Sequence, residues 1–151
     1  MNYITRLDEL GIKLPACPQP VGSYRSVVFA GKIAFLSGQV AKTEDGTVIA
    51  GKVGQSLDLK KGQEAARVAA LNIMSVIKNV IGFEQFDRFL RLVGYVQTAN
   101  DFYNIAEVMN GASDLMVQVF GEKGIHARSA VGVASLPLNA AVEIEATVQI
   151  K

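Results

Sequence analysis

The sequence predicts an α+β domain, a mixed β-sheet with two main helices packed on one face. Apolar runs of strand length lie toward both ends of the chain, and two segments between them keep helical apolar spacing. Their order reads ββ(β)-α-β-α-β-β, which suits one helical layer on one sheet. The 151 residues fit a single domain spanning 1–151, with an irregular N-terminal arm over 1–20. Half of the residues are hydrophobic (50%) and only 19% are charged, which excludes a disordered chain. So small a charged fraction also leaves apolar surface over for a subunit interface.

The arm holds three of the four prolines, Pro15, Pro18 and Pro20. Tyr24 to Ala30 reads as a first strand, Gly31-Lys32 as a hairpin turn and Ile33 to Val40 as a second strand. The polar stretch Lys42 to Thr47 is a turn around Asp45-Gly46, and Val48 to Val53 has the makings of a short third strand. From Asp58 to Ile81, Ala66, Ala69, Ala70, Ile73, Ile77 and Val80 form one apolar stripe. Ser56 or Asp58 can cap that helix, and Gly82 stands where it ends. Phe89 to Thr98 reads as a central strand. Phe102, Ile105, Met109, Ala112, Met116 and Val119 restore helical spacing, with Asn110-Gly111 leaving open one helix or two shorter ones, the second capped by Ser113. Arg128 to Val133 and Val142 to Ile150 complete the strands, around the turn Ser135 to Asn139.

Charge and motifs narrow the function classes. Fifteen basic residues against fourteen acidic ones give a net charge of +1, with no basic cluster to attract nucleic acid. No apolar run approaches the ~20 residues of a membrane span, and Met1 to Glu9 lacks a signal-peptide core. A soluble cytoplasmic protein with no membrane partner is the expectation. Phosphate-loop, dinucleotide and nucleophile-elbow glycine motifs are missing. His126 is the single histidine and Cys17 the single cysteine, so neither a metal site nor a disulfide within the chain is expected.

The polar residues that remain gather in two strands. His126, Arg128 and Ala130 share one side of their strand, and Glu143 and Glu145 share one side of theirs. Were the two strands to pair as a hairpin, Arg128 and the glutamates would converge. A solvated cross-strand ion pair, stabilising by roughly 0.2–1 kcal/mol, would account for the same residues. Residue chemistry by itself leaves both readings open.

Four motifs in order resemble a known family. They are Gly22-x-Tyr24, Ser37-Gly38-Gln39, Ala127-Arg128-Ser129, and Leu136-Pro137 followed by Val142-Glu143-Ile144-Glu145-Ala146. Together they resemble the RidA (YjgF, L-PSP) family of reactive-intermediate imine deaminases, over about Pro20 to Ile150. The resemblance implies a chorismate-mutase-like fold and a homotrimer with a cleft between neighbouring subunits. It implies hydrolysis of 2-imino acids or their enamine tautomers to 2-keto acids and ammonia, without a cofactor. Residue by residue, it implies that Arg128 holds the substrate carboxylate and Glu143 positions water. Tyr24, Gly38, Ala130 and, at the border, His126 would line the site. The chain departs from the pattern in reading Gly22-Ser23-Tyr24-Arg25-Ser26, which puts a cation beside the expected pocket, and in having Ala130 where a cysteine is common. Two other functions remain in view, a non-catalytic binder of small carboxylates and the endoribonuclease or translation-inhibitor activity of the older L-PSP label.

Overall fold

A computed structural model describes residues 1–151. Its elements are α1 (Tyr3–Glu9), β1 (Val27–Ala30), β2 (Ile33–Val40), α2 (Leu59–Val76), β3 (Phe86–Gln97), α3 (Ile105–Phe120), β4 (Ala127–Val133) and β5 (Val142–Ile150). One five-stranded sheet runs in the order β1-β2-β5-β3-β4. All neighbours are antiparallel except β3 and β4, which are parallel. That exception follows from connectivity: β3, α3 and β4 form a strand-helix-strand crossover, the route by which parallel strands are joined.

Alternation along the strands places the core. Val142, Ile144, Ala146 and Val148 of β5 are buried, with Leu92 and Val96 of β3 and Ala34 and Leu36 of β2 on the same face. That face meets the alanine stripe of α2 (Ala65, Ala66, Ala69, Ala70) and the apolar side of α3. Small side chains let the helices lie close. Gly111 is the tightest point, since a Cβ there would run into the backbone carbonyl of Gln63 on α2. Helix propensity therefore yields to packing: Asn110-Gly111 lies inside one continuous α3 and does not divide it.

The α+β layout with both main helices on one face is as expected, and several local readings are corrected. The arm is not irregular throughout, because Tyr3–Glu9 is helical, with Asn2 Oδ1 accepting from the amides of Ile4 and Thr5. Tyr3 and Leu7 anchor that turn in the core, with the Tyr3 ring against Phe83, Phe86 and Phe120. The first strand starts at Val27 rather than Tyr24. The segment 48–53 makes only isolated bridges and no strand. The long helix starts at the expected cap, Asp58, whose carboxylate accepts from the Lys61 amide. It ends in a π-helical turn, Ile77–Ile81. The strand β3 begins at Phe86 and lies second from the edge, so the central position belongs to β5. No helix is long and apolar enough to cross a membrane.

Candidate functional site

Glu143 and Gly38 meet where β2 and β5 pair irregularly. The register shifts between Leu36 and Gln39, so the segment Ser37-Gly38 bulges. The Glu143 carboxylate lies over Gly38, and a Cβ on residue 38 would come within 2.5 Å of its Oε1. Gly38 therefore sits in the bulge itself, directly beneath the carboxylate. A cavity of about 480 Å³ opens here. Tyr24, Gly38, Gln39, Leu138 and Glu143 line it, and Pro15 to Val21 of the arm supplies one wall.

The Glu143 carboxylate accepts no hydrogen bond within the chain and is half-buried. Burial first, and the neighbouring Glu145 charge second, push its carboxyl above the usual range. The Tyr95 hydroxyl donates to Glu145 Oε2 at 3.2 Å, so the second glutamate is occupied while Glu143 is free. Tyr24 is half-exposed at the cavity, its hydroxyl within 3.4 Å of the Val21 amide. Arg25 does not line the cavity. Its side chain is exposed, and its carbonyl accepts from Ser37 Oγ at 2.7 Å.

Arg128, Ala130 and His126 lie elsewhere. Strands β4 and β5 do not form a hairpin, because β3 stands between them. Arg128 is opposite Leu92 and Ala130 opposite Gly94, positions on the helix side of the sheet. Glu143 is opposite Tyr95, on the other side. The convergence of Arg128 with the glutamates inside one chain is therefore ruled out by strand order and by face.

The Arg128 guanidinium is instead held by α3. Its Nη1 donates to Asn110 Oδ1 at 2.9 Å and to Ser113 Oγ at 3.1 Å. Ser113 Oγ is also 3.0 Å from His126 Nε2, and His126 Nδ1 is 2.6 Å from the Gly124 carbonyl. Burial lowers the affinity of His126 for a proton, the Gly124 bond partly offsets this, and the Arg128 charge lowers it further. No carboxylate pairs with Arg128, and its Nε and Nη2 groups have no protein acceptor. The Nη1 hydrogens are both occupied, so the Nε–Nη2 edge remains as a side-on fork suited to a carboxylate.

Asn110 and Ser113 are the residues that sequence reading missed. Their signal was two polar side chains at i, i+3 spacing beside the Met109-Ala112-Met116 stripe, which reads equally as a helix boundary. Gln97 was missed as well. Buried at the end of β3, it donates to Asn139 Oδ1 at 2.7 Å and accepts from the Leu136 amide at 2.8 Å. Those bonds hold the turn in which Leu138 and Asn139 take left-handed backbone angles, and Leu138 borders the cavity. No group of three or more His, Cys, Asp or Glu side chains comes together to bind a metal.

Residues 4–147 match the family model described as "YjgF/chorismate_mutase-like, putative endoribonuclease". Protein TCP17 of Trypanosoma cruzi is 43% identical over 146 residues, covering 95% of this chain and 91% of that protein. A 2-iminobutanoate/2-iminopropanoate deaminase of Dermatophagoides farinae is 31% identical over 141 residues, covering 93% of this chain and 95% of that one. Among solved structures, Atu1372 of Agrobacterium tumefaciens, a protein of unknown function, superposes with a TM-score of 0.89 at 39% identity, covering 99% of this chain and 94% of its own. With its sheet order, its two helices on one face and these matches along nearly its whole length, this chain belongs to the YjgF/RidA family of chorismate-mutase-like fold.

Proposed function

We propose that the protein hydrolyses small 2-imino acids, or their enamine tautomers, to 2-keto acids and ammonia in clefts between the subunits of a homotrimer. The observation that carries this reading is the Arg128 guanidinium, fixed by α3 yet with its Nε–Nη2 edge unpartnered. A fork of that shape recognises a planar carboxylate through two charge-assisted hydrogen bonds. The half-buried, unpaired Glu143 carboxylate supplies the complementary group, with a proton affinity raised toward that of a working base.

The chemistry needs little beyond placement. A protonated imine carbon is already electrophilic. Glu143 takes a proton as water adds to that carbon, giving a carbinolamine. Return of that proton to nitrogen makes ammonia the leaving group, and as the C–N bond breaks Glu143 takes the proton of the carbinolamine hydroxyl, whose oxygen becomes the ketone oxygen of the product. Holding the carboxylate on Arg128 while Glu143 orients the water is positioning catalysis. Tyr24, the Gly38 backbone and the Ala130 backbone complete the walls.

The same geometry supports the assembly. One chain holds the two halves of the site on opposite faces, so a complete site draws Arg128, Ala130 and His126 from one subunit and Tyr24, Gly38 and Glu143 from the next. The sheet face away from the helices also carries exposed Val28 (55%), Phe35 (51%) and Val131 (43%), the apolar surface a subunit interface would cover.

The test generates 2-aminoacrylate in situ with a serine dehydratase and follows pyruvate release. The protein is expected to accelerate release over buffer. Arg128→Ala should lower kcat/KM by about ten- to a hundredfold, as expected for loss of a charge-assisted contact. A protein that adds no rate, or an Arg128→Ala variant at full rate, would exclude the deaminase reading. Tight 2-ketobutyrate binding without turnover would point to the carboxylate-binding module instead.

A further inference from the structure

We propose that Ser113 and His126 are positioning residues, a directed hydrogen-bond relay that sets the orientation in which Arg128 presents its fork to a carboxylate. The inference rests on the reading of Arg128 as the substrate anchor and names what governs that anchor.

The directions follow from the chemistry of the partners. The Gly124 carbonyl can only accept, so His126 Nδ1 carries a hydrogen and donates to it across 2.6 Å. In a neutral imidazole Nε2 is then an acceptor, and the Ser113 hydroxyl, 3.0 Å away, donates to it. With its hydrogen committed to His126, Ser113 Oγ presents its lone pairs to Arg128 Nη1 at 3.1 Å. Asn110 Oδ1 accepts the other Nη1 hydrogen at 2.9 Å. Every donor in this chain of contacts has one acceptor, and the pattern is satisfied in one sense only.

The relay is rigid at its far end. A Cβ on residue 124 would run into the Met116 carbonyl of α3, so the Gly124 carbonyl is fixed against the same helix that carries Ser113. The His126 ring is set edge-on to Phe89, with centroids 6.4 Å apart. His126 therefore faces Arg128 from β4, Ser113 from α3, Phe89 from β3 and the Gly124 carbonyl from the preceding turn. Of these only Arg128 is charged.

A proton on His126 would reverse the relay. Nε2 would become a donor, Ser113 Oγ would face hydrogens from two cations, and the hydroxyl hydrogen would lose its acceptor. Burial and the Arg128 charge oppose that proton. The relay thus keeps the fork fixed at neutral pH and loosens it in acid. A Ser–His pair also suggests a nucleophile, but Ser113 lies inside α3, its oxygen engaged by both Arg128 and His126.

The experiment combines three measurements. Two-bond proton–nitrogen NMR on the wild-type protein reads the tautomer without ambiguity, since His126 is the single histidine. The Nδ1–H form is expected, and the Nε2–H form overturns the proposal. Calorimetric Kd values for 2-ketobutyrate, a product analogue, are then compared across Ser113→Ala, Ser113→Thr and His126→Gln. Ser113→Ala should weaken binding about tenfold, while Ser113→Thr, which keeps the hydroxyl, should bind within about twofold of wild type. In turnover the Ser113→Ala change should appear in KM with kcat little altered. His126→Gln retains an acceptor but cannot titrate, so its Kd for 2-ketobutyrate should lack the acid limb of the wild-type Kd–pH profile. Equal affinity in wild type and Ser113→Ala, or an acid limb that survives in His126→Gln, overturns the relay alone. Wild-type protein that fails to bind 2-ketobutyrate overturns the Arg128 reading itself, and the relay with it.

Discussion

Arg128 and Glu143 stand on opposite faces of one sheet, in strands separated by β3. No side-chain rotation can bring the two groups together through a packed sheet. If both act on one substrate, each comes from a different copy of the chain.

Subunit complementation tests that directly. Arg128→Ala and Glu143→Gln should each keep no more than about a tenth of wild-type activity alone. Mixed trimers, formed by co-expression in equal amounts, contain interfaces that pair an intact Arg128 with an intact Glu143. Random assembly makes these about a quarter of all sites, so about a quarter of wild-type activity should return. Recovery of none would place both residues in one chain's site or in no site.

Glu143→Gln should also be more stable at neutral pH while losing activity. The carboxyl of Glu143 is raised above its ordinary 4.5 chiefly by burial, so the folded state holds its proton more tightly than the unfolded chain. Stability from this group is complete below 4.5 and is lost as pH rises through the raised folded value. A neutral amide escapes that loss. The melting temperature of the variant should exceed wild type at neutral pH, with the gap closing below 4.5.

Gly38→Ala separates activity from folding. The added Cβ would meet the Glu143 carboxylate at 2.5 Å, and a flexible side-chain end can move aside at small cost in stability. The carboxylate would then leave its place over the bulge. Activity should fall about tenfold or more, since ångström-scale misplacement is costly in positioning catalysis. Thermal melts should change little.

Gly111→Ala should do the opposite. Its Cβ would strike the Gln63 backbone, which cannot swing away, so α2 and α3 must separate. A loss of about 1–3 kcal/mol in denaturant unfolding is expected, as for other overpacked sites.

His126 contributes its own pH dependence. Its folded proton affinity lies below the ordinary 6.5, so its stabilisation is complete above 6.5 and is lost as pH falls through the depressed folded value. His126→Gln should flatten the decline in stability just below 6.5, read from urea midpoints at several pH values.

Much of the architecture was readable along the chain because it depends on local periodicity. The alanine stripe placed α2, its Asp58 cap and its Gly82 end, and alternation placed β2 and β5 to the residue. The Tyr3–Glu9 helix was hidden because seven residues carry little periodic signal and its stability comes from Tyr3 packing among phenylalanines. The choice left open at Asn110-Gly111 falls to one helix for a related reason: glycine's poor helix propensity is outweighed where two helices need a residue without a side chain between them.

What the sequence determined by itself was the α+β class, the segments that form it and, through its motifs, the family. The tertiary structure alone decided which strands are neighbours and which face each side chain takes. Strand order depends on burial between segments far apart in the chain: the α3 crossover lays β4 parallel to β3, and β5 enters between β2 and β3. That single arrangement, in place of a β4–β5 hairpin, leaves Arg128 and Glu143 facing opposite ways and sets Asn110 and Ser113 beneath the arginine.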